Sequence, residues 1–313
     1  MTTTAIPQTN RSRGYAIALI SALILSTTAI FIRHLTQTYQ IPSLVLAFWR
    51  DSFVVLTLLP ILGFLRASLL RVQRRHLRYL MFYGFVLAIF NSLWTLSVSV
   101  NGAAIATVMA YCSAGFTALL GWWFLKESLD WAKILAILLS LGGCILVSGA
   151  LDPQAWHLNL LGIVTGIVSG LAYATYTLMG RSAAERGLNP WTTLLYTFAF
   201  ATIFLLIFNL LPVEQLPGKA AHPIDFLWLG SALSGWLILF LLAAGPTMTG
   251  FGLYNVSLGY LPSSVVNLIV TLEPAFTAVI AYLLLGEYLT GVQIVGSLLI
   301  LTGVVFLRMY GER

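Results

Sequence analysis

Charge is what this sequence has least of. Asp, Glu, Lys and Arg make up 8% of its 313 residues, while 59% are hydrophobic; soluble domains carry roughly 25% charged residues. No aqueous fold of this length could bury so much apolar surface, so the surrounding solvent must be lipid. Cysteine is also rare. Cys112 and Cys144 sit in apolar runs without metal-ligand spacing or a loop position suited to a disulfide, and read as small packing residues. The four histidines, at 34, 76, 157 and 222, fall in expected loops or at span ends, with no His–carboxylate metal motif and no Ser-His-Asp arrangement. A phosphate-cradling GxxxxGKS/T run is missing, which argues against direct ATP drive. No cofactor, metal or enzyme chemistry is therefore expected.

What is present is a series of long apolar runs. A span needs about 20 apolar residues, and nine segments qualify: 14–33, 42–65, 78–99, 102–125, 132–150, 159–180, 191–211, 262–285 and 291–309. The stretch 226–258 is too long for one helix, so a tenth span is placed at 236–258 with 226–234 as an interfacial lead-in. Arg11 and Arg13 before the apolar run 14–32 superficially resemble a secretory signal. That run is long enough to span and has a counterpart later in the chain, so it is read as helix 1.

The net charge of +6 does not point to nucleic acid, because the basic residues form no basic domain. They alternate with the spans. With a cytoplasmic N-terminus, thirteen Lys and Arg residues fall on inner segments (11, 13, 66, 71, 74, 75, 78, 126, 133, 181, 186, 308 and 313). Only Arg33 and Lys219 fall on outer ones, and Arg50 lies within helix 2. Positive charge is retained on the cytoplasmic side, so both termini are expected there, in a bacterial inner membrane.

The two halves of the chain repeat. Sliding 102–147 by 160 positions onto 262–307 aligns eleven identical residues without a gap, among them Phe116-Thr117-Ala118 with Phe276-Thr277-Ala278, Glu127 with Glu287 and Gly143 with Gly303. Earlier in each half an offset of 148 pairs Gly14 with Gly162, Ser21 with Ser169, Arg33 with Arg181 and Pro42 with Pro190. The repeats run 14–150 and 159–309, each with five spans. Five is odd, so the second enters the membrane from the opposite side. Such inverted repeats supply two states of similar energy around a site near the midplane. The expected fold is an all-α membrane protein of ten transmembrane helices in two inverted five-helix repeats.

The run Thr271-Leu272-Glu273-Pro274-Ala275-Phe276-Thr277-Ala278, followed by Leu285-Gly286-Glu287 and Leu289-Thr290, resembles the closing signature of the EamA family. That family belongs to the drug/metabolite transporter superfamily. Phe116-Thr117-Ala118 through Leu125-Lys126-Glu127-Ser128-Leu129 is similar to the same signature in the first repeat. The resemblance covers nearly the whole chain and implies a ten-helix carrier with a central cavity. It implies movement of amino acids, other metabolites or drugs. Two positions depart from the pattern: Ala114 stands where many relatives have Pro, and Ser26-Thr27 replace a common Trp-Gly pair.

Several polar groups lie at membrane depth. Glu273 is about ten residues into its helix, roughly 15 Å deep at 1.5 Å per residue. A bare carboxylate there costs on the order of 2.5–3.5 kcal/mol unless paired, hydrated or protonated. It serves either as a substrate-amine or proton site, or as a structural partner for backbone freed by Pro274. Pro274 and Pro246 are candidate hinges or static bends, since each removes a backbone donor. Arg50 and Asp51 point about 100° apart on a helix and are not expected to neutralise one another. Arg50 offers a fork of donors for a substrate carboxylate, or snorkels. Asn91, Trp94, Tyr111, Asn267 and Thr271 are read as a set that lines a cavity or joins helices. Glu127 and Glu287, at symmetry-related helix ends, read as gating or capping residues.

The function expected from these features is secondary transport, in the export direction, of small organic metabolites such as amino acids, or of drugs, by alternating access. The partners are a small-molecule substrate and the bilayer. A receptor or scaffold would be expected to carry a signalling domain or longer tails, and an intramembrane enzyme needs more catalytic groups than Glu273.

Overall fold

A computed structural model of the chain describes residues 8–147, 160–211, 218–285 and 290–310. Among them there is no strand. Seven helical stretches are long and apolar enough to cross a membrane: Asn10–Thr38, Ser43–Leu70, Arg74–Val98, Leu161–Glu185, Pro190–Leu210, Leu233–Ser257 and Gly291–Tyr310. Two shorter apolar helices, Met109–Leu125 and Trp131–Val147, accompany them. The protein is an all-helical, multi-pass membrane protein.

In chain order the helices are α1 (Gln8–Leu25), α2 (Thr28–Thr38), α3 (Ser43–Arg66), α4 (Arg74–Tyr111), α5 (Ser113–Leu125), α6 (Trp131–Val147), α7 (Leu160–Glu185) and α8 (Pro190–Leu210). Then come α9 (Leu233–Leu242), a π-helical segment Ala243–Gly250, α10 (Phe251–Ser257), α11 (Ser263–Val270), α12 (Glu273–Leu285) and α13 (Gly291–Tyr310). Local chemistry sets several of the starts. Pro42 and Pro262 hold extended backbone just before α3 and α11. Asn189 caps α8, its Oδ1 accepting from Trp191 N at 3.0 Å and Thr192 N at 3.4 Å, with Pro190 at the first helical position. Such a cap stabilises a helix by about 1 kcal/mol.

Helical turns adjoin on both sides of the gap expected between spans 78–99 and 102–125, so that α4 takes in both sides, but it is not one straight helix. The chain reverses there. Ser97 Oγ and Met109 Cβ lie 2.8 and 2.7 Å from the point where a methyl on Gly166 would sit, so they are near neighbours. Twelve residues of straight helix would hold them about 18 Å apart. The lead-in before α9 is a short 3-10 turn at Pro223–Leu227 rather than the whole of 226–234.

In lipid, helices associate by close packing of small residues rather than by exclusion of water. The contact between α6 and α13 is of this kind. A methyl on Gly143 would lie 2.6 Å from the Gly296 carbonyl oxygen, and one on Gly303 would lie 2.8 Å from that of Ala136. Leucines and valines on the outer faces, Leu138, Leu298 and Val305 among them, are exposed as lipid-facing side chains should be.

The two ends of the bundle differ. At one end Arg181 Nη1 donates to the carbonyls of Leu258 (2.8 Å) and Leu261 (3.3 Å), and Arg186, Arg13 and Arg308 lie over the rings of Tyr79, Tyr260 and Tyr15. The other end is knitted by aromatic donors: Trp49 Nε1 to Phe226 O at 2.6 Å, and Trp228 Nε1 to Tyr39 O at 2.8 Å. Charge on one rim and aromatic amphiphiles on the other suit two different membrane–water interfaces.

Candidate functional site

Arg50 and Asp51 enter the bundle on α3 and are almost wholly buried, at 3% and 0% exposure. They do pair, contrary to the expectation from their adjacent positions: Arg50 Nε lies 3.3 Å from Asp51 Oδ1. The long Arg side chain curls back along the helix, which a Cα-based angle does not capture. Asp51 Oδ2 accepts from Asn91 Nδ2 on α4 at 2.7 Å, so both carboxylate oxygens are engaged. Among the described residues Arg50 Nη2 has no hydrogen-bond partner.

A second polar chain crosses from the first half of the sequence to the second. Ser113 Oγ donates to Asn267 Oδ1 (3.1 Å), Asn267 Nδ2 donates to Thr177 Oγ1 (3.2 Å), and Thr177 Oγ1 lies 2.7 Å from the Tyr254 hydroxyl. All four are buried, and Asn267 here joins helices in the way small polar groups do in membranes. Beside them runs an aromatic wall: Trp94 stacks on Phe90, Phe90 on Tyr173, and Tyr173 on Tyr254. The Tyr111 hydroxyl, Tyr173 and Cys144 stand around the Glu273 carboxylate, near enough to feel its charge.

Glu273 begins α12, immediately after a break in the helix at Thr271-Leu272. Thr271 closes that break with its own hydroxyl on Leu268 O at 2.6 Å. A matching break separates α4 from α5 at Cys112. Since 112 and 272 are paired by the 160-residue offset, the break occurs in both halves, with Pro274 in one and Ala114 in the other. A proline is therefore not required for a break at this position. A third break, at Ser26-Thr27 between α1 and α2, faces this region: Thr277 Oγ1 lies 2.8 Å from Ser26 O. Pro246 is absorbed differently, inside the π segment, where the Thr247 hydroxyl reaches Leu242 O at 2.8 Å. Wider helical turns of this kind accommodate the missing donor.

Glu127 lies just past the end of α5. Lys126 takes a left-handed conformation (φ 55°) and both it and Glu127 donate backbone N–H groups to Gly121 O, which swings the Glu127 side chain toward α11. Glycine favours that conformation, and the paired residue of the second half is Gly286. The Glu127 carboxylate then caps α11. Oε1 accepts from Ser263 N and Ser263 Oγ, both at 2.7 Å, and Oε2 from Ser264 N at 3.3 Å and Ser264 Oγ at 2.7 Å. A negative charge at a helix N-terminus also meets the favourable end of its dipole. Beside it a groove of about 400 Å³ is lined by Trp122, Trp123, Lys126 and Leu129. Glu287 falls outside the described residues.

The structure thus brings Tyr111 to Glu273, Asn91 to Asp51 and Asn267 to Thr177, while Trp94 belongs to the aromatic wall. Ser113, Thr177, Tyr254, Ser263 and Ser264 were not singled out from the sequence. The serine pair before an apolar run carries an N-cap signal that would have found it. The others have no sequence mark that separates them from helix packing.

The EamA-like transporter family model matches the chain twice, over residues 12–149 and 160–309. An uncharacterised transporter of Synechocystis is 29% identical over 226 residues, a match spanning 72% of this chain and 64% of that protein. The threonine/homoserine exporter RhtA of Salmonella typhimurium is 28% identical over 238 residues, covering 75% of this chain and 72% of its own length. A solved crystal structure aligns with a TM-score of 0.75 at 16% identity over 97% of this chain and 99% of the other, a likeness of fold alone.

Proposed function

The chain belongs to the EamA-like transporter family, and from that premise we propose that it is a secondary carrier exporting amino acids or related small metabolites by alternating access. The fold on which this reading rests is ten membrane helices in two inverted repeats, 14–150 and 159–309. What supports that number is the seven long spans, the two shorter apolar helices and the α11–α12 pair. Amino acids come from the likeness to a threonine/homoserine exporter.

The observation that carries the reading is reciprocal contact between α6 and α13. Gly143 meets Gly296 while Gly303 meets Ala136. Under the 160-residue offset Gly143 corresponds to Gly303, and Ala136 to Gly296. Each contact is therefore the image of the other under a two-fold operation, as in an isologous interface. A pseudo-two-fold in the membrane plane makes opening to one side and opening to the other two versions of one motion.

Within this reading Glu127 latches one end shut, and Glu287 does the same at the other end in the alternate state. Arg50, Asn91, Trp94, Tyr111, Asn267, Thr271 and Glu273 face the solute path, while the breaks near Pro274 and Pro246 absorb the motion. The termini lie in the cytoplasm of a bacterial cell, so the Arg-rich end, with the Glu127 latch, is the inner one.

A reversible cross-link tests the latch. A methyl on Gly121 would lie 3.2 Å from Ser263 Oγ, within reach of a disulfide. Gly121→Cys with Ser263→Cys, in a chain whose Cys112 and Cys144 are replaced, should lose transport on oxidation and regain it on reduction. Full transport in the oxidised, cross-linked protein would contradict an alternating gate at this end.

A further inference from the structure

We propose that the free edge of the Arg50 guanidinium binds the carboxylate of the transported solute. The proposal rests on the carrier reading above and deepens it by naming the charge the solute must bear.

Three observations lead to it. Arg50 is only 3% exposed, yet among the described residues its Nη2 has no partner. Buried donors are nearly always satisfied, so an unmatched one on a charged group calls for a missing acceptor. Asp51 does not reach that donor: it meets Nε alone through Oδ1, and Asn91 draws Oδ2 the other way at 2.7 Å. The pair is fixed side-on, and the guanidinium's opposite fork stays available. Finally, Arg50 lies where α3 meets α4 beside the aromatic wall, since its partner Asp51 accepts from Asn91, the residue next to Phe90 of that wall.

The chemistry of this fork selects the ligand. A guanidinium edge matches a carboxylate with two parallel N–H···O bonds. A phosphate dianion would need a second cation. Among the described residues the other buried basic side chain is Lys133, which is occupied with Ser128 at the start of α6. Asp51 already balances one unit of charge, so a zwitterion or a monoanion is the solute that fits. A cationic drug is not. Asn91 and Asp51 are positioning residues here, setting which edge of Arg50 faces the solute.

The test compares acids with their own carboxamides, which keep the amine and side chain and lose only the carboxylate. Purified protein in detergent is titrated with L-threonine, L-leucine and L-phenylalanine, each beside its amide, with thermal stabilisation as the readout. At least one acid should bind about tenfold or more tighter than its amide, the range expected for hydrogen bonds to a charged group. Arg50→Lys should shrink that preference, and the charge-balanced Arg50→Gln/Asp51→Asn double variant should abolish it. Equal binding of acid and amide by the unaltered protein, binding of none of the acids, or a full preference surviving in both variants would overturn the proposal. A water on Nη2 would satisfy the donor without producing any acid-over-amide preference. Carboxylate preference without solute counterflow in proteoliposomes would keep the Arg50 site and sink the carrier reading; counterflow without the preference would do the reverse.

Discussion

Cys112 and Leu272 occupy paired positions in the two halves, and each marks the point where a membrane helix breaks. The residue two places on is Ala114 in one half and Pro274 in the other. The two breaks meet in the fold: Tyr111, just before one, stands by Glu273, just after the other, and Ser113 Oγ donates to Asn267 Oδ1 across the same crossing. Pro274→Ala should therefore leave α12 angled to α11, with spin-label distances across the break unchanged. Its expected cost is about 0.4–1 kcal/mol, from a less restricted unfolded chain. A straightened helix would restore the proline as the cause.

Glu127→Ala leaves two N–H groups and two hydroxyls of Ser263 and Ser264 without their acceptor. Charged hydrogen bonds are worth about 1.5–3 kcal/mol each at most, so the variant should favour the state open at this end by tenfold or more. The paired positions 103 and 104 are alanines, which offer Glu287 no hydroxyls. Ala103→Ser with Ala104→Ser should strengthen the opposite latch and shift the balance the same way. Alkylation of a cysteine at position 266, buried beneath the Glu127 latch, reads both effects. Unchanged rates in both proteins would remove the latch from the mechanism.

Topology has its own check. Cysteines at 73 and 184 should be shielded from an impermeant thiol reagent in intact cells, and one at the exposed position 221 labelled. Labelling at 73 would reverse the assigned orientation.

Glu273 is the acidic group at the crossing, faced by Tyr111 from α4, Cys144 from α6 and Tyr173 from α7. None of these is a cation. Glu273→Gln should abolish stimulation of transport by an imposed pH difference while binding in detergent persists. Stimulation equal to that of the unaltered protein would assign proton coupling elsewhere.

The membrane architecture was readable because lipid demands long apolar runs, and those runs begin and end close to the helices found. Span 42–65 became Ser43–Arg66, and 191–211 became Pro190–Leu210. Glu127 was legible as a paired helix-end acid, though its partner serines were not. The Arg50–Asp51 contact was misread, because side-chain length outweighs the angle between neighbouring Cα–Cβ bonds. The Ser113–Asn267–Thr177–Tyr254 chain was invisible for a different reason: it depends on which faces meet, and helices apolar on most sides give no periodic signal of that.

Solute counterflow tests the central claim most directly. Proteoliposomes preloaded with unlabelled amino acids are diluted into a trace of labelled ones, without ATP or an ion gradient. An alternating carrier should draw label transiently above its equilibrium level, through exchange with the outgoing solute. Label that enters no faster than into protein-free vesicles, for every amino acid tried, would contradict it.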